Sequence, residues 1–262
     1  VLRELYERLV YLRNLEARRE DVKRLIEEQS KLTDEIVDAL CKAATLQEIE
    51  DIYRPFKPKR RTRAAIAREK GLEPLAEAIL AQDIVEGNIE DIAGPFVNPD
   101  KEINTVEDAI NGAMDIIAEN ISDNAGYRKA IREMFFSYGT IISEARKEED
   151  SVYRMYYDFK EPVSKIASHR VLALNRGEKE EYLQVRIEVP DERIIDYLKS
   201  QVVKKKPSIT SEYVARAAED SYYRLIAPSI ENEVRNELTE AAEEQAMKVF
   251  AENLRNLLLQ PP

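Results

Sequence analysis

The sequence is 262 residues long and acidic, with a formal net charge of −11. Hydrophobic residues make up 44% of the chain and charged residues 35%, which is a globular composition and excludes intrinsic disorder. No run of about 18 apolar residues occurs, so the sequence predicts no membrane span and no membrane partner. The single cysteine, Cys41, excludes an internal disulfide and a cysteine-based zinc site, and it fits a reducing compartment, here the cytoplasm.

Apolar residues in the first part of the chain recur at helical spacing and predict a long amphipathic helix over roughly residues 2–29. Thr33 begins the next helix. The segment from Thr45 to Glu48 is a capping box, in which the hydroxyl and the carboxylate each bind an otherwise unsatisfied backbone N–H. The short helix that it opens must end before Pro55, because proline interrupts helical hydrogen bonding.

A helical hairpin follows. Thr62 caps the helix AAIAREK, Gly71 ends it, and Pro74 begins the helix LAEAIL. A helix, a glycine-containing turn and a second helix resemble a DNA-reading helix-turn-helix in outline. An ordinary αα-hairpin is the simpler interpretation, because Glu73 and Glu77 on the second helix would repel phosphate.

The middle of the chain mixes helices with the first strand signals. Thr105 and Asp123 are predicted to cap two helices. Residues 139–142 are the first β-like stretch, and residues 164–178 fit either a strand or a helix, of which the helix is preferred. Residues 182–189 alternate apolar and polar side chains and give the strongest strand prediction in the chain.

The C-terminal part predicts helices that begin at Asp191, at Ser211 and, with Pro228 in its first turn, at the start of a final rod of about 30 residues. Only seven glycines and no tryptophan occur, which favours a helix-rich chain. We therefore predict a mainly α, multi-helical fold with a long amphipathic helix near each end and a minor β element around residues 182–189. We divide it into an N-terminal helical region with the hairpin, residues 1–165, and a central helical region with a long linker helix, residues 166–262.

The segment YRPFKPKRRTR at residues 53–63 is the most distinctive part of the sequence. Six cations and no carboxylate lie between Arg54 and Arg63. Pro55 and Pro58 predict an extended backbone with outward-pointing cations. Phosphate contact with counterion release, docking on an acidic surface of the same protein and plain solvation are the three open interpretations. The candidate nucleic-acid-binding residues are Arg54, Lys57, Lys59, Arg60, Arg61, Arg63 and Arg68.

No constellation of catalytic or metal-binding residues is evident. The sequence has no GxGxxG, Walker-type, GxSxG or HExxH motif. The lone histidine, His169, has no partner that the sequence supplies and is predicted to be structural. Tyr153, Tyr156 and Tyr157 could stack on bases, but with few cations nearby they are predicted to pack in the core. We therefore predict no catalytic residue, no metal, no cofactor and no enzymatic activity.

Three long segments carry a specific family resemblance. They are TLQEIEDIYRPFKPKRRTRAAIAREKGLEPLAEAIL at 45–80, SHRVLALNRGEKEEYL at 168–183 and MKVFAENLRNLLLQPP at 247–262. Together, and in this order, they resemble the bacterial Tex family of transcription accessory proteins. Compatible helical patterns fill the gaps, so the resemblance covers essentially the whole chain.

The resemblance implies a multidomain protein with a helical N-terminal region of helix-turn-helix character, an RNase-H-like domain, helix-hairpin-helix elements and a C-terminal OB-fold domain. A eukaryotic elongation factor and histone chaperone shares this layout. The chain is expected to be a fragment that covers the helical N-terminal and central part and ends where the RNase-H-like domain begins. The family has no established enzymatic activity, in agreement with the absence of catalytic motifs.

Two functions from different classes follow. In the first, the intact protein is a nucleic-acid-binding transcription accessory factor, and this chain is its helical scaffold with the basic stretch as an auxiliary contact. In the second, the chain is a protein-interaction and structural module whose basic stretch docks on an acidic partner or on another domain. The expected partners are RNA or DNA, mostly through domains outside this chain, and the transcription machinery. The sequence does not decide between RNA and DNA.

Overall fold

The computed structural model describes residues 2–58, 61–147 and 149–259 of the chain. Most of these residues are helical, so the predicted mainly α fold is confirmed. The α-helices of the first half are α1 (Leu2–Glu27), α2 (Asp34–Lys42), α3 (Leu46–Tyr53), α4 (Arg63–Glu69), α5 (Glu73–Ala81), α6 (Ile89–Ala93), α7 (Val106–Ser122) and α8 (Ala125–Tyr138). Those of the second half are α9 (Ser168–Lys179), α10 (Asp191–Val202), α11 (Ser211–Asp220) and α12 (Ala227–Leu258).

A small antiparallel sheet accompanies the helices. Its strands are β1 (Thr140–Ala145), β2 (Asp158–Pro162) and β3 (Leu183–Glu188), in the order β2-β1-β3. The strand predicted around 182–189 is confirmed as β3, and the β-like stretch after Gly139 is β1. Strand β2 was not predicted, because five residues that include two acids and a terminal proline carry no β-branched signal.

Four predicted helix starts are confirmed by their caps. The hydroxyls of Thr33, Thr45, Thr62 and Thr105 each accept a hydrogen bond from the backbone N–H three residues on. The prediction of Asp123 as the cap of α8 is wrong. Its neighbour Asn124 accepts from the backbone N–H of Tyr127 over 3.0 Å, because its side-chain oxygen lies three residues before that donor.

The described chain separates into two compact units. The first comprises residues 1–129 and 198–222, and the second comprises residues 130–197 and 223–262. The predicted division at 165/166 falls inside the second unit. Compact units are groups of residues in mutual contact rather than demonstrated folding domains, so that division stays a prediction.

The first unit contains two neighbouring sets of packed helices. Helices α1, α2 and α3 enclose one apolar cluster of buried side chains, made of Leu15, Val22, Ile26, Leu40, Ala43, Ile49 and Tyr53. In the other set, α4, α5 and α11 pack against α7. Small residues on α7, Ala109 and Ala113, allow close approach of these helices.

An ion pair away from solvent ties α3 to α8 within the first unit. Nε of Arg128 donates to Oδ1 of Asp51 over 3.0 Å, and both side chains are almost wholly buried. Nη1 of Arg128 also donates to the carbonyl oxygen of Ser122 over 3.4 Å. A buried charge is tolerated only when it is paired and hydrogen-bonded, so this contact fixes α3 against the start of α8.

The second unit is organised around the sheet. Helix α9 packs on β3 and on α12, and the apolar side chains between them are fully or nearly buried. The outer edge of β3 is covered by side chains: Glu231 accepts from the backbone N–H of Ile187 over 2.8 Å, and Arg235 donates to the carbonyl oxygen of Val185 over 3.2 Å. These bonds satisfy backbone groups that would otherwise invite pairing with another strand.

The long helices predicted near both ends are present, as α1 and α12. A π-helical segment, Ser221–Ile226, lies between α11 and α12, so the predicted start at Pro228 falls within continuous helical backbone. Along α12 the buried residues are Ile230, Val234 and Ala242. The buried residues of this helix therefore all lie in its first half.

We expect Asp51→Ala to lower the free energy of unfolding by about 3–5 kcal/mol, because it leaves the guanidinium of Arg128 buried without its counter-charge. Urea unfolding followed by circular dichroism measures this change. The matched control is Lys129→Ala, which removes a more exposed ion pair between the same two helices, with Glu48. It should cost less than about 1 kcal/mol. Equal small losses for the two variants would contradict a structural role for the buried pair.

We expect Gly139→Ala to destabilise the second unit by about 1–3 kcal/mol. A Cβ atom at Gly139 would lie 2.3 Å from the backbone oxygen of Phe135 and 3.0 Å from the side chain of Val163. The backbone cannot shift easily, since Gly139 is hydrogen-bonded to both Phe135 and Val163. Thermal unfolding is the measurement, and Gly94→Ala is the control, because no described atom lies within 4 Å of a Cβ built there. A melting temperature as high as that of the control would refute the close packing.

Candidate nucleic-acid interface

The basic stretch leaves the end of α3 and enters the first turn of α4. The prediction of an extended backbone at Pro55 is wrong, because Arg54–Phe56 forms a 3-10 turn with Pro55 as its second residue. Proline fits the first positions of a helical turn, where its missing N–H leaves no hydrogen bond unmade. Extended backbone begins only at Lys57. The stretch is therefore a turn followed by a short extended segment, and not a uniform ribbon.

Lys57 is held by α3. Its ammonium group forms an ion pair with Glu50 and lies 5.6 Å from the centre of the Tyr53 ring. From α1, Arg18 approaches the same two side chains, 2.6 Å from Glu50 and 5.6 Å from the ring centre of Tyr53. Burial alone would raise the pKa of Glu50, but hydrogen bonds from Lys57 and Arg18 outweigh it, so the pKa lies below the usual range. Lys57 thus has a structural anchor.

Arg54 and Arg68 are also paired inside the first unit. Nε of Arg54 lies 3.5 Å from Oδ1 of Asp123. Arg68 donates to Glu119 over 2.6 Å and to the side-chain oxygen of Asn120 over 2.9 Å. Glu119 is nearly buried, and Arg68 supplies a positive charge beside its carboxylate.

Arg61 and Arg63 are the more available cations of the described part. Arg61 is 74% exposed and lies 3.7 Å from Glu69, which is itself 64% exposed. Arg63 lies at the first position of α4 with an exposed side chain and forms no ion pair or hydrogen bond with another described side chain. The other two candidates, Lys59 and Arg60, lie outside the described residues. The structure thus separates Arg54, Lys57 and Arg68 from Arg61 and Arg63.

The surroundings of Arg63 are mixed in charge. It borders an open cavity of about 620 Å³ whose lining includes Asp115, Glu219 and Asp220. A second cavity of about 330 Å³ shares Arg63 and Asp115. These carboxylates weaken the positive potential near Arg63 and oppose a polyanion that enters deeply.

The predicted hairpin is present as α4, a turn with Gly71 at a φ of +88°, and α5. Its two helices pack on α7. The exposed side of α5 carries Glu73 and Glu77. A DNA-reading role for this hairpin stays a prediction, and its exposed charges are unfavourable for one.

Sequence reasoning missed the acids that hold these arginines. Asp51 and Glu119 lie on the apolar faces of α3 and α7, among buried isoleucines and alanines. A carboxylate at a core-facing helical position signals a buried cation elsewhere in the chain. The signal was in the sequence, but its partners, Arg128 and Arg68, lie 77 and 51 residues away.

Several predicted non-sites can also be located. Tyr153 and Tyr156 are buried, with ring centres 5.8 Å from Tyr182 and 5.3 Å from Phe159, respectively, so they pack in the core. His169 lies exposed in the first turn of α9. Among the described residues, no three His, Cys, Asp or Glu side chains are grouped to hold a metal ion. In the same part of the chain, no helix combines the length and apolar character that crossing a bilayer needs.

The amino-acid sequence of this chain is similar to those of several known proteins. The family model described as Tex central region-like matches residues 86–250. The chain is 48% identical over 265 residues to the uncharacterized protein YdcI of Bacillus subtilis. This alignment covers 100% of the chain and 37% of YdcI. It is 35% identical over 269 residues to the transcriptional accessory protein Tex of Neisseria gonorrhoeae, with 100% and 35% covered. It is 26% identical over 279 residues to the S1 RNA-binding domain-containing protein 1 of Homo sapiens, with 100% and 27% covered.

The chain itself is mainly helical with a small antiparallel sheet. The family model covers more than half of the chain, and the chain belongs to the Tex family. It spans about a third of the length of the curated relatives that it matches. The family resemblance of the sequence is confirmed.

We expect Glu50→Gln to lower the free energy of unfolding by about 1 kcal/mol at neutral pH, because it removes the charge that Lys57 and Arg18 share. The folded-state pKa of Glu50 is depressed, so its contribution is present above the unfolded pKa, near 4.5, and is lost as the pH falls through the folded pKa. Urea unfolding from pH 7 to pH 3 should show the two proteins converging in acid. Asp150→Asn, at an exposed ion pair with Arg154, is the control. A difference that persists unchanged at pH 3 would contradict the ion-pair explanation.

Proposed function

We propose that this chain is the helical scaffold of a nucleic-acid-binding transcription accessory factor and that Arg61 and Arg63 provide an auxiliary contact to phosphate. Lys59 and Arg60, which lie between them and the 3-10 turn, belong to the same proposed contact. The transcription machinery as partner and a cytoplasmic location are part of this proposal. It assigns no chemical step to the chain.

One observation carries the proposal: Arg61 and Arg63 lie two residues apart at the start of α4, and both side chains are exposed. Arg61 has a weak, solvent-exposed ion pair, and Arg63 has no acid partner among the described residues. An exposed pair of this kind contributes little and exchanges readily, so both guanidinium groups are available to an external anion. The names of relatives, which include a transcriptional accessory protein and an S1 RNA-binding domain-containing protein, support the same class of function.

A structural role is the second candidate, and it is favoured for a different set of cations. Arg54, Lys57 and Arg68 are engaged by Asp123, Glu50 and Glu119 of the same unit. Replacing one of these three cations would remove a contact within the folded unit, so we expect its main effect to be on stability and not on nucleic-acid binding. The two candidate functions therefore divide the described candidate cations: Arg54, Lys57 and Arg68 stabilise the scaffold, and Arg61 and Arg63 are exposed to solvent.

We expect the double variant Arg61→Ala/Arg63→Ala to weaken binding to nucleic acid and to flatten its salt dependence. With two phosphate contacts removed, the slope of log affinity against log salt should fall by about 1.4 on single-stranded RNA and about 1.8 on duplex DNA. Fluorescence anisotropy titrations of the whole chain at several salt concentrations measure both quantities.

The matched control removes two exposed arginines elsewhere, Arg24 and Arg154, which are 66% and 76% exposed. The alanine variant of this pair has the same net charge as the first variant but should keep the original slope. A third arm, Arg68→Ala, should lower stability and increase protease cleavage while RNA affinity holds. No binding at low salt, or an equal loss in the control, would remove the proposed contact and leave the scaffold role.

A further inference from the structure

The connection between α10 and α11 carries a second concentration of positive charge in the first unit. Residues 198–211 contain four lysines and no carboxylate, in a chain whose net charge is −11. Three of these lysines are consecutive, at positions 204–206, and Pro207 follows them. All four residues from 204 to 207 are exposed. We call residues 204–207 the lysine loop.

A buried glutamine holds the start of the lysine loop. Gln82 is 1% exposed and follows α5 with a left-handed backbone, at a φ of +48°. Its side-chain Nε2 donates to the carbonyl oxygen of Val202 over 2.8 Å. Its Oε1 accepts from the backbone N–H of Lys204 over 3.0 Å and from the hydroxyl of Ser211 over 3.2 Å. Three bonds from one buried amide therefore fix the backbone on both sides of the loop.

A second set of bonds holds the end of the loop. The carbonyl oxygen of Ile84 accepts from the hydroxyl of Ser208 over 2.6 Å and from the backbone N–H of Ile209 over 3.0 Å. Pro207 fixes its own φ and restricts the residue before it, Lys206, to extended backbone. The lysines thus project from a preformed backbone, so a ligand that binds them orders little more than the side chains.

The three lysines differ in what they contact. The ammonium group of Lys204 donates to the carbonyl oxygen of Ala81, at the C-terminal end of α5, and lies 3.0 Å from Oδ1 of Asp83. A cation at this place complements the helix dipole, so Lys204 has a structural role. Lys205 and Lys206 form no ion pair or hydrogen bond with another side chain in the described part of the chain. Their charges are available to an external anion.

The composition of the lysine loop favours phosphate over an acidic protein surface. From residue 204 to residue 207 the loop exposes only lysines and one proline. Protein interfaces are depleted in lysine and bury an apolar core, which these residues do not offer. Lysine binds phosphate as a point charge, and contacts to the nucleic-acid backbone need no apolar surface and no base sequence.

We propose that Lys205 and Lys206 contact the phosphate backbone of a nucleic acid and form a second contact site on the first unit. The inference rests on the nucleic-acid-binding function proposed above, but it does not depend on Arg61 or Arg63. Gln82 acts as a positioning residue, because it holds the backbone from which the two lysines extend.

Fluorescence anisotropy titrations of the whole chain with single-stranded RNA test the inference. With two contacts removed, Lys205→Ala/Lys206→Ala should lower the slope of log affinity against log salt by about 1.4. Its affinity deficit relative to the unchanged chain should therefore shrink about sevenfold between about 0.05 M and about 0.2 M salt. Both side chains are exposed, and circular dichroism verifies that the variant folds.

The matched control is Lys31→Ala/Lys101→Ala, which removes two exposed lysines of the same unit. Lys101 lies between Asp100 and Glu102 in the sequence, so it attracts phosphate weakly, and the control should keep the original slope. An equal change in the control would overturn the inference. If only Arg61→Ala/Arg63→Ala changes the slope, the lysine loop is not a contact, whereas the proposed function stands. If only the loop variant changes it, the lysine loop is the contact and the arginines are not.

Labelling with an amine-reactive acetylating reagent, measured by mass spectrometry, tests the contact without any substitution. Saturating single-stranded RNA should reduce acetylation of Lys205 and Lys206 severalfold and leave Lys101 unchanged. Polyglutamate in place of RNA provides the comparison with an acidic polypeptide. Unchanged acetylation of the two loop lysines in the presence of RNA would overturn the inference. So would protection by polyglutamate alone, which would indicate docking on an acidic protein.

Discussion

The ion pair between Asp51 and Arg128 is the constraint on which the surroundings of the basic stretch depend. It holds the last turn of α3 in place, because Asp51 lies two residues before Tyr53 and three before Arg54, the first arginine of the stretch. The same Arg128 donates to the carbonyl oxygen of Ser122, at the C-terminal end of α7. Arg68 binds Glu119 and Asn120 on the same turn, and Arg54 lies against Asp123. Three arginines from three different segments thus converge on one helix end, where the helix dipole and the local carboxylates both favour positive charge.

This convergence explains why a run of cations in the sequence is not a uniform basic surface in the fold. An arginine that compensates a nearly buried carboxylate such as Glu119 cannot leave it without exposing the first unit to the cost of an isolated buried charge. The positive charge of such an arginine already neutralises a carboxylate of the same unit. Arg61 differs because its acid partner, Glu69, is itself exposed, and Arg63 differs because it has no acid partner among the described residues. An external phosphate therefore competes with water and not with a buried acid for these two arginines. Availability is set by the burial of the partner more than by the exposure of the cation.

The sequence predicted the elements well where the signal is local. Threonine caps, the glycine after α4 and the alternation of β3 depend on residues within a few positions of one another, and these predictions are confirmed. It predicted poorly what depends on distant partners. The pairing of Arg68 with Glu119 and of Arg128 with Asp51 joins helices far apart in sequence, and periodicity carries no information on which acid meets which base. The sequence did not predict β2 for a related reason. This strand forms because β1 offers hydrogen-bonding groups along one edge, whereas the residues of β2 have little strand propensity of their own.

The net charge of −11 affects how the affinity of any phosphate contact depends on salt concentration. At about 0.1 M salt the Debye length is about 10 Å, so an approaching polyanion senses the loop cations and the carboxylates near Arg63 together, while the distant acidic surface is screened. At about 0.01 M salt the Debye length grows to about 30 Å, and repulsion from the whole acidic chain reaches the polyanion as well. Affinity for nucleic acid should therefore rise less steeply toward low salt than a count of loop cations implies. An auxiliary contact of this kind adds little by itself, and it gains importance where another domain already holds the nucleic acid nearby, because the second contact then forms at high effective concentration.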